Sequence, residues 1–139
     1  MSTSSPAQLY CTLIGAVLVI VGIIGFFYSA SFDTGTSGVL ANTDDLFGVL
    51  GVNGWHNVVH ILIGLLLLAC AGTAARSAAL GVGLLYLVLS IWGFIESDNV
   101  ILGLVPVNDE DNVLHLILGL LGLAAGAASP SIGPKPKAA

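Results

Sequence analysis

The chain has 139 residues, 56% of them hydrophobic and only 8% charged, with a mean hydropathy of +1.01. A soluble domain carries about 25% charged residues, so this composition excludes an ordinary cytosolic enzyme and a disordered chain. Eight acids against three bases give a net charge of −5, which excludes a nucleic-acid binder, whose affinity needs clustered Lys and Arg. What remains is a small integral membrane protein.

A membrane-crossing helix needs about 20 apolar residues, and four stretches supply them. Leu9 to Phe32 carries no charge and is too long for a signal-peptide core; it reads as the first span. Leu46 to Ala75 is also uncharged and longer than one helix needs, so the second helix is expected to start near Trp55. Ser77 to Ile95 lies between Arg76 and Glu96, and Asn112 to Ile132 closes the set before Lys135. Lipid offers the backbone no hydrogen bonds, so each uncharged run predicts a helix. Two apolar pieces, Gly48–Val52 and Gly103–Val107, are too short to cross. They are expected to lie at the interface or fold back over the mouth of the helices.

The expected architecture is all-α, a transmembrane four-helix bundle with up-down-up-down connections. Its parts are a cytoplasmic N-terminus (1–8), a membrane domain (9–128, with halves at about 9–75 and 77–128) and a cytoplasmic tail (129–139). With four spans, Arg76, Lys135 and Lys137 share one face. Asp33, Asp44, Asp45, Glu96, Asp98, Asp109, Glu110 and Asp111 share the other. Basic loops stay cytoplasmic, which places both termini in the cytoplasm of a bacterial plasma membrane and the acids outside. Cys11 and Cys70 show no metal spacing and read as reduced apolar packing residues.

An internal repeat is visible. Phe47 to Leu66 reads FGVLGVNGWHNVVHILIGLL and Leu102 to Leu121 reads LGLVPVNDEDNVLHLILGLL, at a constant offset of 55. Gly25-Phe26 and Gly93-Phe94 echo each other on the preceding helices. Two parallel helical hairpins related by a pseudo-two-fold axis along the membrane normal follow from this pattern.

The repeated unit, VN-x3-N-V-x-H-x3-G after a GxxxVN loop segment, resembles a bacterial four-helix membrane family catalogued only as a domain of unknown function. The resemblance runs from about residue 9 to 128. It implies fold and topology and no activity. The first copy reads His56-Asn57-Val58-Val59-His60, whereas the second has Asp111 where the first has His56. That difference counts against a three-histidine site.

Asn57, His60 and Gly64 fall on one helix face, as do Asn112, His115 and Gly119. Glu96 ends the third span at a similar height. Ionisable groups at membrane depth are costly, and by default they mark function. One reading is structural: Asn57 and Asn112 cap helix starts, the imidazoles pin loops, and Gly64 and Gly119 permit close helix packing. Another is a divalent metal held by His60 and His115 with Glu96. A third is haem b with His60 and His115 as axial ligands, and a fourth a proton relay or small-molecule site. The structural reading is favoured, with no cofactor. No nucleophile–base arrangement or cofactor fingerprint is present, so no enzyme is expected. The expected role is a non-catalytic structural or accessory subunit. Its partners are the lipid bilayer and a larger membrane complex or a second copy.

Overall fold

The computed structural model describes residues 4–130. Ser5 caps the first helix, α1 (Pro6–Gly25): its hydroxyl accepts from Gln8 N, Gln8 reaches back to Ser5 N, and Pro6 occupies the first turn. A short helix, α2 (Thr36–Ala41), follows, then a hairpin of β1 (Asp44–Leu46) and β2 (Leu50–Val52). Next come α3 (Gly54–Cys70) and α4 (Ala75–Ile95). A second hairpin, β3 (Val100–Ile101) with β4 (Val105–Pro106), leads into α5 (Asp109–Ala127).

Three of these helices, α1, α4 and α5, are long and apolar enough to cross a membrane. At about 1.5 Å per residue, the 17 residues of α3 are a shorter apolar helix. Large side chains such as Leu13, Ile20, Leu62, Leu84 and Ile117 are exposed along the outer faces. A water-soluble monomer does not carry so much contiguous apolar surface. These are the lengths and surfaces of a membrane protein.

The helices associate chiefly in two pairs, α1 with α3 and α4 with α5. In each pair glycines bring the backbones together. A Cβ on Gly64 would stand 2.7 Å from Gly15 O, and one on Gly119 would stand 3.0 Å from Gly83 O. Small residues drive helix association in lipid in this way, because apolar burial gives no advantage over the surrounding acyl chains. Gly122 and Gly126 also face α4, so the small face of α5 is an internal seam. Toward the Arg76 end the pairs share a core of Ala7, Tyr10, Cys11, Leu67, Ala75, Ala79 and Tyr86. The Tyr10 hydroxyl donates to Leu118 O at 3.0 Å, which ties α1 to α5.

Several boundaries differ from the sequence reading. The first helix stops at Gly25 and not at Phe32, because the chain turns there, Tyr28 N and Ser29 N both donating to Gly25 O. Past the turn the apolar residues pack on one another and on the first hairpin, Phe26 beside Phe32 and Tyr28 edge-on to Phe47. Phe32 meets Trp55 edge-on at 5.1 Å. The fourth helix ends at Ala127, short of Ile132, and Ser129 Oγ then accepts from Ala7 N. Lys135, Lys137 and the basic tail lie outside the described residues.

The chain is mostly helical as expected, and two short β-hairpins are the part the all-α expectation lacked. Both reverse through a turn whose central residues have positive φ, Phe47 (56°) with Gly48 (72°) and Leu102 (56°) with Gly103 (67°). This is the sign a tight two-stranded hairpin turn requires. Such a conformation is uncommon for bulky residues, and it recurs at the same place in both loops. Two- and three-residue strands are too short to leave an alternation pattern in the sequence.

Candidate functional site

At the hairpin end each helix start is fixed by an asparagine. Asn53 caps α3, its Oδ1 accepting from His56 N at 2.9 Å, and Asn108 caps α5, its Oδ1 accepting from Asp111 N at 2.8 Å. The caps are therefore Asn53 and Asn108, and not Asn57 and Asn112 as the spacing to the histidines had indicated. The remaining amide group of each cap crosses to the opposite half of the chain. Asn53 Nδ2 donates to Leu104 O, and Asn108 Nδ2 donates to Val49 O, both at 2.7 Å. The two hairpins are thus held over the helix ends by reciprocal hydrogen bonds.

One turn further in, Asn57 and Asn112 lie deep between helices. Asn57 sits against Gly25 and donates through Nδ2 to Ser29 O at 2.8 Å. Asn112 sits against Gly93, and its backbone carbonyl accepts from Ser90 Oγ at 2.8 Å. A side chain on either glycine would overlap the carboxamide, which gives Gly25 and Gly93 a purpose their sequence echo only hinted at.

Below the hairpins lies a cluster of two histidines from α3 and one from α5. His56, His60 and His115 are all buried, and one ring nitrogen from each lies within 4.8 Å of the others. The ring centroids of His56 and His60 are 4.3 Å apart, and those of His56 and His115 are 6.3 Å apart. Tyr86 stacks on His115 at 5.2 Å. His56 Nδ1 donates to Gly51 O at 2.8 Å; a carbonyl only accepts, so this nitrogen carries the proton and Nε2 is the free lone pair. The Nδ1 atoms of His60 and His115 have no hydrogen-bond partner among the described residues. Among the described residues His60 and His115 hold no loop through Nδ1, although the structural reading expected them to; the loop contact is made by His56, which that reading did not include.

Glu96 does not join them. It is half-buried at the end of α4, where its Oε2 accepts from Trp92 Nε1 at 3.4 Å. Gly64 and Gly119 do pack helices, each against a neighbouring backbone. The acid near the cluster is Asp111, buried, whose Oδ2 accepts from Gly51 N at 3.0 Å and Asn108 N at 3.1 Å. His56 was legible as a partner of His60, since residues at i and i+4 share a helix face; its mismatch with Asp111 across the two motif copies argued it away.

Apolar clefts reach the cluster from two sides. One, of about 200 Å³, is lined by His56, His60, His115 and Tyr86 with aliphatic residues of α3, α4 and the second hairpin. The other, of about 100 Å³, reaches His60, His115, Tyr86 and Asp111 between α1 and α5. Chemically the site offers three imidazole nitrogens in apolar surroundings, with one buried carboxylate behind the Gly51 peptide. No curated protein and no solved structure matches the chain. Residues 8–128 match the family described as Domain of unknown function (DUF4383), and the chain belongs to that family.

Proposed function

We propose that this is a non-catalytic integral membrane protein of the plasma membrane, a four-helix bundle of two duplicated hairpins with its hairpin end outside. In this reading it serves as a structural or accessory module that presents a rigid polar mouth to a larger membrane assembly or to a second copy. The observation that carries the reading is the reciprocal lock, Asn53 onto Leu104 O and Asn108 onto Val49 O. Each half closes the hairpin of the other, so the mouth is held as one surface. The paired contacts Gly25–Asn57 and Gly93–Asn112 support duplication, because equivalent positions make equivalent contacts. The acids at the mouth and Arg76 at the opposite end support the orientation. The connections between the helices leave little room for an independent enzyme, which favours the non-catalytic reading.

Native mass spectrometry of the protein extracted from its own membrane in mild detergent tests this. The expected result is a species heavier than the single 14.1 kDa chain. The Asn53→Ala/Asn108→Ala double variant is expected to insert normally but lose most of the heavier species. A single chain in both preparations contradicts an accessory role.

A further inference from the structure

His56 and Asp111 occupy corresponding places, each the third residue after the capping asparagine of its helix. The two positions differ in chemistry and meet through one peptide group. Gly51 O accepts from His56 Nδ1, while Gly51 N donates to Asp111 Oδ2. The contact fixes the His56 tautomer and directs its Nε2 lone pair away from the hairpin. A carbonyl on the far nitrogen of an imidazole is the usual support of a metal-binding histidine, since it sets both ring orientation and basicity. His60 and His115 add two further rings, 8% and 6% exposed, each with an Nδ1 that has no partner among the described residues. A buried polar nitrogen without a partner is costly. With one ring nitrogen of each of the three imidazoles within 4.8 Å of the others, the cluster calls for a common ligand that accepts nitrogen lone pairs.

We propose that His56, His60 and His115 bind a divalent transition-metal ion of the zinc class beneath the hairpins, with Asp111 as the positioning residue for His56. Three atoms within 4.8 Å of one another lie no farther than about 2.8 Å from a common centre. Zinc–imidazole bonds are about 2.0–2.1 Å, so small side-chain rotations close the site. The donor set is all nitrogen, which suits zinc, cobalt(II) or copper(II) and not magnesium or calcium, which take oxygen ligands. Three protein ligands leave a fourth position, and the cleft of about 200 Å³ beside the rings gives it access. That volume lies below the roughly 300–1,000 Å³ of typical cofactor sites. The His56 ring, 4.3 Å from that of His60, also crowds the face a flat macrocycle needs. A bare ion fits here better than haem. The Asp111 carboxylate, on the other side of the Gly51 peptide, offsets part of the ion's charge in an otherwise apolar interior.

The test is a cobalt(II) titration of the full chain, chelator-treated in mild detergent and followed by visible absorption. One cobalt per chain is expected, with the intense bands of four-coordinate cobalt, and zinc should displace it and raise the thermal midpoint. His60→Ala and His115→Ala are expected to abolish the bands. Asp111→Asn keeps all three imidazoles and should weaken binding by about 10–100-fold, the usual effect of losing an orienting partner. Far-UV circular dichroism confirms that each variant is folded, and the wild-type titration stands without them. A wild type that gives only the faint spectrum of six-coordinate cobalt overturns the site. Bands that survive both histidine substitutions overturn it too, because the ion then sits on the acidic mouth.

Discussion

Gly93→Ala is expected to destabilise the protein by about 3 kcal/mol, the upper part of the range for overfilling a packed interior. The new methyl group would overlap the Asn112 carboxamide, and Asn112 is 1% exposed. Reversible unfolding in mixed detergent micelles measures the loss. Adding Asn112→Ala to Gly93→Ala removes the overlapping atoms, so the pair should recover at least half of it; neighbours in contact are non-additive in this way. Gly81→Ala is the control, since nothing lies near its Cβ position and alanine favours helix by about 1 kcal/mol. Gly81→Ala should leave stability unchanged or raised. A Gly93→Ala protein as stable as wild type would contradict the packing of α4 on α5.

Asp111→Ala is expected to cost a similar amount, about 3 kcal/mol, by a different route. Its Oδ2 is the acceptor for both Gly51 N and Asn108 N. Removing it strands two donors at about 1–3 kcal/mol each where they are buried. The Asp111→Asn side chain retains one carbonyl oxygen and should lose about half as much. Hydrogen exchange separates this from a general loss of stability: the Gly51 amide should lose protection more than amides in the middle of α4. Equal loss at both places would mean that Asp111 does not hold the hairpin.

The sequence showed the membrane character, the four apolar helices and two of the three clustered histidines, but not His56, nor how these residues are used. Helix existence was legible because long uncharged runs have one stable form in lipid. Helix ends were not. Gly25 ends α1 through a turn, while the aromatic residues beyond it keep the run apolar, Tyr28 meeting Phe47 and Phe32 meeting Trp55. The caps were missed for a related reason. Asn57 and Asn112 draw attention by their spacing to histidine, yet a cap is defined by where the helix begins, and Asn53 and Asn108 hold that place. The histidine cluster was legible in part. The repeat read from the sequence pairs His60 with His115 and pointed to them, but that reading also argued His56 away because Asp111 stands at its counterpart. The structure joins those two unlike residues through Gly51, a contact between halves that no spacing within one half reveals.

The membrane arrangement on which the whole account depends can be tested with single cysteines. In a Cys11→Ala/Cys70→Ala background, Asp45→Cys places a thiol on the first hairpin and Arg76→Cys places one at the α3–α4 turn. Intact expressing cells are treated with a membrane-impermeant maleimide. The thiol at position 45 should be labelled at once, and the one at position 76 only after the membrane is permeabilised. Labelling of both without permeabilisation, or of position 76 alone, would contradict a chain that crosses the membrane with its hairpin end outside.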